Sequence, residues 1–113
     1  MPEKIPPGCV LVVEDPLIRK FVSGILKREG HSVVEAGLEE AQRTLRSHSA
    51  VSLLITNVPA YFLEFAETVP LIYMASSPDP ALAGQFRSCR TLGKPFLASD
   101  LAADAAELTQ QSA

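Results

Sequence analysis

Cys9-Val10-Leu11-Val12-Val13-Glu14-Asp15-Pro16 is the stretch that decides the fold: five apolar residues in unbroken succession, closed by two carboxylates and a proline. A strand with one wet face alternates apolar and polar residues, whereas an unbroken apolar run reads as a parallel strand covered on both faces. Pro16 suits a first helical turn, and Asp15 stands where a cap would. Leu17, Ile18, Phe21, Val22, Ile25 and Leu26 then recur at helical spacing until Gly30 stops the pattern. The run and the helix after it make one βα unit.

The same unit repeats along the chain. Ser32 to Ala36 reads as a short second strand, followed by a helix from about Leu38 to His48 with Ala41 and Leu45 inward. Val51 to Thr56 is a third strand, Leu71 to Ala75 a fourth and Cys89 to Leu92 a fifth. Between them the spacing predicts two modest helical segments, near Tyr61 to Glu67 and Pro80 to Arg87. A last helix is expected from about Ser99, its cap candidate, to Thr109, with Leu101, Ala105 and Leu108 inward. Strict alternation of strand and helix implies right-handed crossovers and a parallel sheet between two helical layers.

With 113 residues and 47% apolar content, the chain fits one domain that buries about two thirds of its unfolded surface. The reading places an extension at residues 1–8, a single domain at 9–109 and a tail at 110–113. Thirteen acidic against ten basic side chains give a net charge of -3 and no basic stripe, which argues against nucleic acid as a partner. The apolar runs are strand-sized and the N-terminus leads into prolines, so neither membrane insertion nor secretion is indicated and a cytoplasmic location is expected. Cys9 and Cys89 lack the close spacing of a zinc or redox pair and read as reduced, partly buried thiols.

In a parallel sheet of this kind the functional crevice lies outside the carboxyl ends of the strands. Glu14, Asp15, Asn57, Ala75, Ser76 and Lys94 all fall at such ends.

Those residues carry a resemblance. The acidic pair in Val-Val-Glu-Asp-Pro-Leu-Ile-Arg, the site residue in Leu-Ile-Thr-Asn-Val-Pro and the Leu-Gly-Lys-Pro-Phe run after the fifth strand resemble the receiver domain of bacterial two-component response regulators. The similarity extends from about Cys9 to Leu108. It implies a flavodoxin-like α/β three-layer sandwich with strand order 2-1-3-4-5, here with shortened third and fourth helices. In that family an aspartate accepts a phosphoryl group from a histidine kinase, an acidic pair holds magnesium, and a lysine stabilises the phosphoryl oxygens. A Ser or Thr and an aromatic residue then relay the change. By position, Glu14 and Asp15 match the acidic pair, and Lys94 with Pro95 matches the lysine and its cis proline.

Asn57 stands at the acceptor position. A carboxylate attacks phosphorus to give an acyl phosphate; a neutral amide does not. Ala75 and Thr91 fall where the hydroxyl and aromatic switch residues stand, so the relay is lost as well, unless a one-residue slip lets Ser76 supply the hydroxyl. With one carboxylate of three replaced, the expectation is weak magnesium binding at Glu14 and Asp15 or none, with Lys94 bonded to Asp15 or to the Asn57 amide oxygen. The plainer alternative is that the cluster only satisfies strand ends.

His31 and His48 follow helices and read as solvated or capping imidazoles. Tyr61, Phe62 and Phe65 read first as core, second as a partner patch. Two functions stay open. One is a pseudo-receiver that is not an enzyme and acts by protein contact with a histidine kinase, a phosphotransfer protein, another regulator or itself as a homodimer. The other is a phosphoacceptor regulator using Asp15 or Ser76. An FMN protein is a distant third, because no Ser/Thr-rich phosphate loop follows the first strand. The short connections suggest a site that no longer admits a kinase in the usual way, and the few residues after the last helix leave no room for a DNA-binding output domain.

Overall fold

The computed structural model describes residues 8–47 and 50–111. His48, residues 1–7 of the expected extension and the last two residues of the tail lie outside them. Ten elements follow in chain order: β1 (Cys9–Val13), α1 (Pro16–Arg28), β2 (Val33–Glu35), α2 (Leu38–Ser47), β3 (Val51–Thr56), a 3-10 segment (Pro59–Phe65), β4 (Leu71–Ala75), α3 (Pro80–Ala83), β5 (Cys89–Gly93) and α4 (Ala98–Gln111). All strand pairs are parallel, in the order β2-β1-β3-β4-β5. This is the expected fold class.

Alternate residues of each central strand feed two separate cores, which is why β1 needs apolar residues throughout. Val10 and Val12 join Leu53, Ile55, Ile72 and Met74 under α1 and α4, whose Val22, Ile25, Leu26, Leu101, Ala105 and Leu108 close that layer. Cys9, Leu11 and Val13 join Leu54, Leu71 and Tyr73 on the opposite face, under Ala41 and Leu45 of α2 and under Phe62, Phe65 and Phe86.

The covering of this second face is thin. The segment after β3 is 3-10 rather than α-helical, begins at Pro59 and breaks at Phe62 (φ -124°, ψ 19°), whose ring is thereby turned fully into the core. The expected helix from Pro80 to Arg87 is a single turn. Asp79 caps it by accepting from the Ala81 and Leu82 N–H groups at 3.0 and 3.5 Å, and the turn ends at Gly84 because Phe86 must enter the core.

Two local expectations, the caps of the first and last helices, are corrected by backbone detail, and the expected stop at Gly30 is met. Asp15 takes the cap position of α1 but its side chain makes no capping bond; its carbonyl accepts from Arg19 at 2.7 Å. Ser99 lies inside α4, since the Leu97 carbonyl already accepts from Asp100 and Leu101. Beyond α1, Gly30 adopts φ +93°, so that its N–H reaches Lys27 and the His31 N–H reaches Leu26. His31 therefore closes the helix through its backbone, a Schellman arrangement that only a residue tolerant of positive φ permits at the preceding position.

Both cysteines are unpaired, Cys9 buried and Cys89 half-buried. Burial pushes both thiols up, Cys89 to about 11 despite the opposing charge of Arg90. Among the described residues no helix is long and apolar enough to cross a membrane.

Candidate functional site

Each strand delivers its last residue to the same edge of the sheet. The register sets Val13 beside Thr56, Thr56 beside Tyr73, and Ala75 beside Gly93, so that Glu14, Asn57, Ser76 and Lys94 follow directly at that edge. The Lys94 N–H donates to the Ala75 carbonyl at 3.0 Å, tying the ends of β4 and β5 together. The Lys94–Pro95 peptide bond is cis.

Glu14 is the centre of the cluster. Its side chain is entirely buried, and its Oε2 lies 2.9 Å from Lys94 Nζ. That contact is an ion pair rather than a well-angled hydrogen bond. The other oxygen, Oε1, accepts from the Asp15 N–H at 3.0 Å. The lysine therefore crosses the ends of β4 and β3 to reach β1, and its partner is Glu14 rather than the expected Asp15 or Asn57. Burial decides between the two acids: an enclosed carboxylate needs a counter-charge, whereas the exposed carboxylate of Asp15 has water.

Asn57 is half-buried in the turn that leaves β3. Its predecessor Thr56 is fully buried, and the Thr56 hydroxyl accepts from the Val58 N–H at 3.1 Å, which fixes the backbone of that turn. Ala75 is half-buried; Ser76 and Thr91 are exposed. The structure thus brings Glu14, Lys94 and the end of β3 into one cluster, and leaves Asp15, Ser76 and Thr91 facing solvent around it.

One residue of this edge escaped the sequence reading. Tyr73 is buried, and its phenolic oxygen accepts from the Asp79 N–H at 3.2 Å, pinning the loop between β4 and α3. It stands on β4 in register with Thr91. The signal was a lone tyrosine in an otherwise aliphatic strand, since a buried hydroxyl needs a partner. Of the three aromatics near the site, Phe62 and Phe65 are core, and Tyr61 is 56% exposed.

A divalent cation fits this donor set poorly. A hard cation wants several anionic or carbonyl oxygens. Here the buried carboxylate is occupied by an ammonium group, the residue after β3 is a neutral amide, and one exposed aspartate remains. Among the described residues no three metal-ligating side chains gather in one place.

No protein-family model matches the chain, and no curated protein matches it. Solved structures do. A signal receiver domain of a two-component signal-transduction histidine kinase from Clostridium thermocellum has a TM-score of 0.72 at 16% identity, with 91% of this chain and 98% of that one covered. The chemotaxis protein CheY4 of Vibrio cholerae gives 0.73 at 19% identity over 90% and 98%. The beryllofluoride-activated NtrC4 receiver domain, a dimer in solution, gives 0.75 at 18% identity over 92% and 98%. At such identities the likeness is one of architecture: the chain has the flavodoxin-like receiver fold.

Proposed function

We propose that this protein is a receiver-type signalling domain of the two-component class that is not phosphorylated at the usual position and works by binding other proteins. The observation that carries the reading is the buried Glu14–Lys94 ion pair beside Asn57. Phosphoryl transfer to a receiver needs a carboxylate nucleophile, a cation to gather the phosphoryl oxygens and a positive group to hold charge as it develops. Asn57 supplies no nucleophile, because its nitrogen lone pair is delocalised into the carbonyl and its oxygen carries no full charge. Lys94 already spends its charge on Glu14, and the pair is neutral, so little remains to attract magnesium. The exposed Thr91 supplies no aromatic ring and the half-buried Ala75 no hydroxyl, so neither switch position offers its relay group.

In this reading the domain is a binding module, not an enzyme. Its partners are of the kinds that contact receiver domains: a histidine kinase, a phosphotransfer protein or another regulator, with a second copy of itself also suited. The ion pair keeps the site in one state, so binding does not depend on phosphorylation.

Intact-mass spectrometry after incubation with acetyl phosphate and magnesium tests this, with Asn57→Asp treated in parallel. The expected result is no phosphoryl adduct on the natural chain. A second reading rests on the exposed carboxylate of Asp15 and the exposed hydroxyl of Ser76. A phosphoryl adduct on the natural chain, mapped to either residue, would replace the first reading with this one.

A further inference from the structure

The two helices that cover one face of the sheet are oppositely charged. Helix α1 carries Arg19, Lys20, Lys27 and Arg28 and no acidic residue; α4 carries Asp100, Asp104 and Glu107 and no basic one. They lie side by side over the same core. Their charges are not spent on each other. Arg19 turns toward β2, 3.5 Å from Glu35, and Glu107 turns toward β5, where it pairs with Arg90. Lys20, Lys27, Arg28 and Asp100 are exposed.

The amino-terminal ends of both helices also expose apolar side chains. Leu17 is 81% exposed, Phe21 53% and Leu97 66%. Leu17 and Phe21 are four residues apart on one side of α1, and the Phe21 ring lies 5.9 Å from that of Phe96, just before α4, so the patch bridges the two helices. Side chains of this size left in water mark an interaction surface when they are contiguous and rimmed by charge.

We propose that this face binds a second copy of the chain, with α1 of each copy lying against α4 of the other. The charge order selects that occupant. An acidic partner would suit α1 and be repelled by α4, and a basic one the reverse. A second copy turned about a two-fold axis along the groove between the helices presents the two charges in reversed order and satisfies both. A two-fold axis across the groove would instead set basic α1 on basic α1, so the pattern also fixes the orientation of this isologous contact. The apolar patch, set at the first turns of both helices, meets itself at that end of the contact.

The proposal deepens the binding-module reading by naming one partner and its surface. The two fail separately: a phosphoryl adduct on the natural chain would remove that reading and leave this dimer standing, and a monomeric chain would do the opposite.

Sedimentation velocity across the micromolar range, at low and high salt, tests it on the natural chain. A dimer that weakens with salt is expected, because the flanking charges are screened. Leu17→Ser, at a site too exposed to affect folding, should weaken association by about tenfold or more. A Lys20→Glu/Lys27→Glu chain and an Asp100→Lys/Glu107→Lys chain should each be monomeric alone and form a heterodimer when mixed, with circular dichroism confirming that both are folded. A natural chain that stays monomeric throughout, or folded charge variants that fail to pair on mixing, would overturn the proposal.

Discussion

Lys94 Nζ stands 2.9 Å from Oε2 of Glu14, a carboxylate with no solvent exposure at the end of the central strand β1. Desolvation makes the Glu14 charge costly alone, whereas Lys94 keeps some solvent, so removing the lysine should hurt more than removing both. Lys94→Met is expected to lower stability by about 2–4 kcal/mol in urea unfolding, because it leaves a buried carboxylate holding a single backbone N–H. The double variant Glu14→Gln/Lys94→Met should recover a good part of that loss. Equal losses that simply add would show that the two side chains do not depend on each other.

Magnesium should not matter to the natural chain. Its thermal midpoint is expected to stay put on adding magnesium or a chelator, since Lys94 occupies the buried carboxylate. Asn57→Asp restores a third carboxylate at the same edge, and its midpoint should rise with magnesium concentration by mass action. If the natural chain responded as strongly as the variant, the ion pair would have to be giving way to the metal.

Tyr73 holds the loop before α3 through its hydroxyl. Tyr73→Phe keeps the ring in the core and removes only the acceptor of the Asp79 N–H, so a modest loss of about 0.5–1.5 kcal/mol is expected. Hydrogen exchange gives the sharper readout. The Asp79 amide should exchange faster in the variant while amides of β1 and β3 keep their protection.

Cys89 should be sluggish toward thiol reagents. Burial holds its thiol up to about 11, so alkylation by iodoacetamide is expected to rise only in strongly alkaline solution, whereas an ordinary thiol titrates at about 8.5. The sign for stability follows. The unfolded chain loses this proton at lower pH than the folded one, so the contribution is intact below the unfolded value and declines as pH climbs toward about 11. Rapid labelling of folded protein at neutral pH would contradict this.

How much of this was legible beforehand differs from element to element. The continuous run from Cys9 to Val13 sufficed for a doubly covered parallel strand, and Gly30 marked the end of α1 correctly, because these signals depend on local backbone chemistry. The shape of the segment from Pro59 to Phe65 did not follow from spacing. Its geometry is dictated by turning Phe62 and Phe65 into a core assembled from distant strands. The site divided in the same way. That Glu14, Asn57 and Lys94 share one edge follows from each terminating or following a strand. Which acid Lys94 meets depended on burial, which no local pattern around Glu14-Asp15 encodes.

The unequal cladding of the sheet has a consequence for how the molecule comes apart. On one side lie two long helices; on the other, beyond α2, a broken 3-10 stretch and a single helical turn hold down Phe62, Phe65 and Phe86. Short pieces with few ladder bonds open at lower cost than long ones. Limited proteolysis should therefore nick residues 57–70 and 76–88 first, while the inner strands, α1 and α4 still resist as a unit. The domain would behave as a hard half and a soft half sharing one sheet.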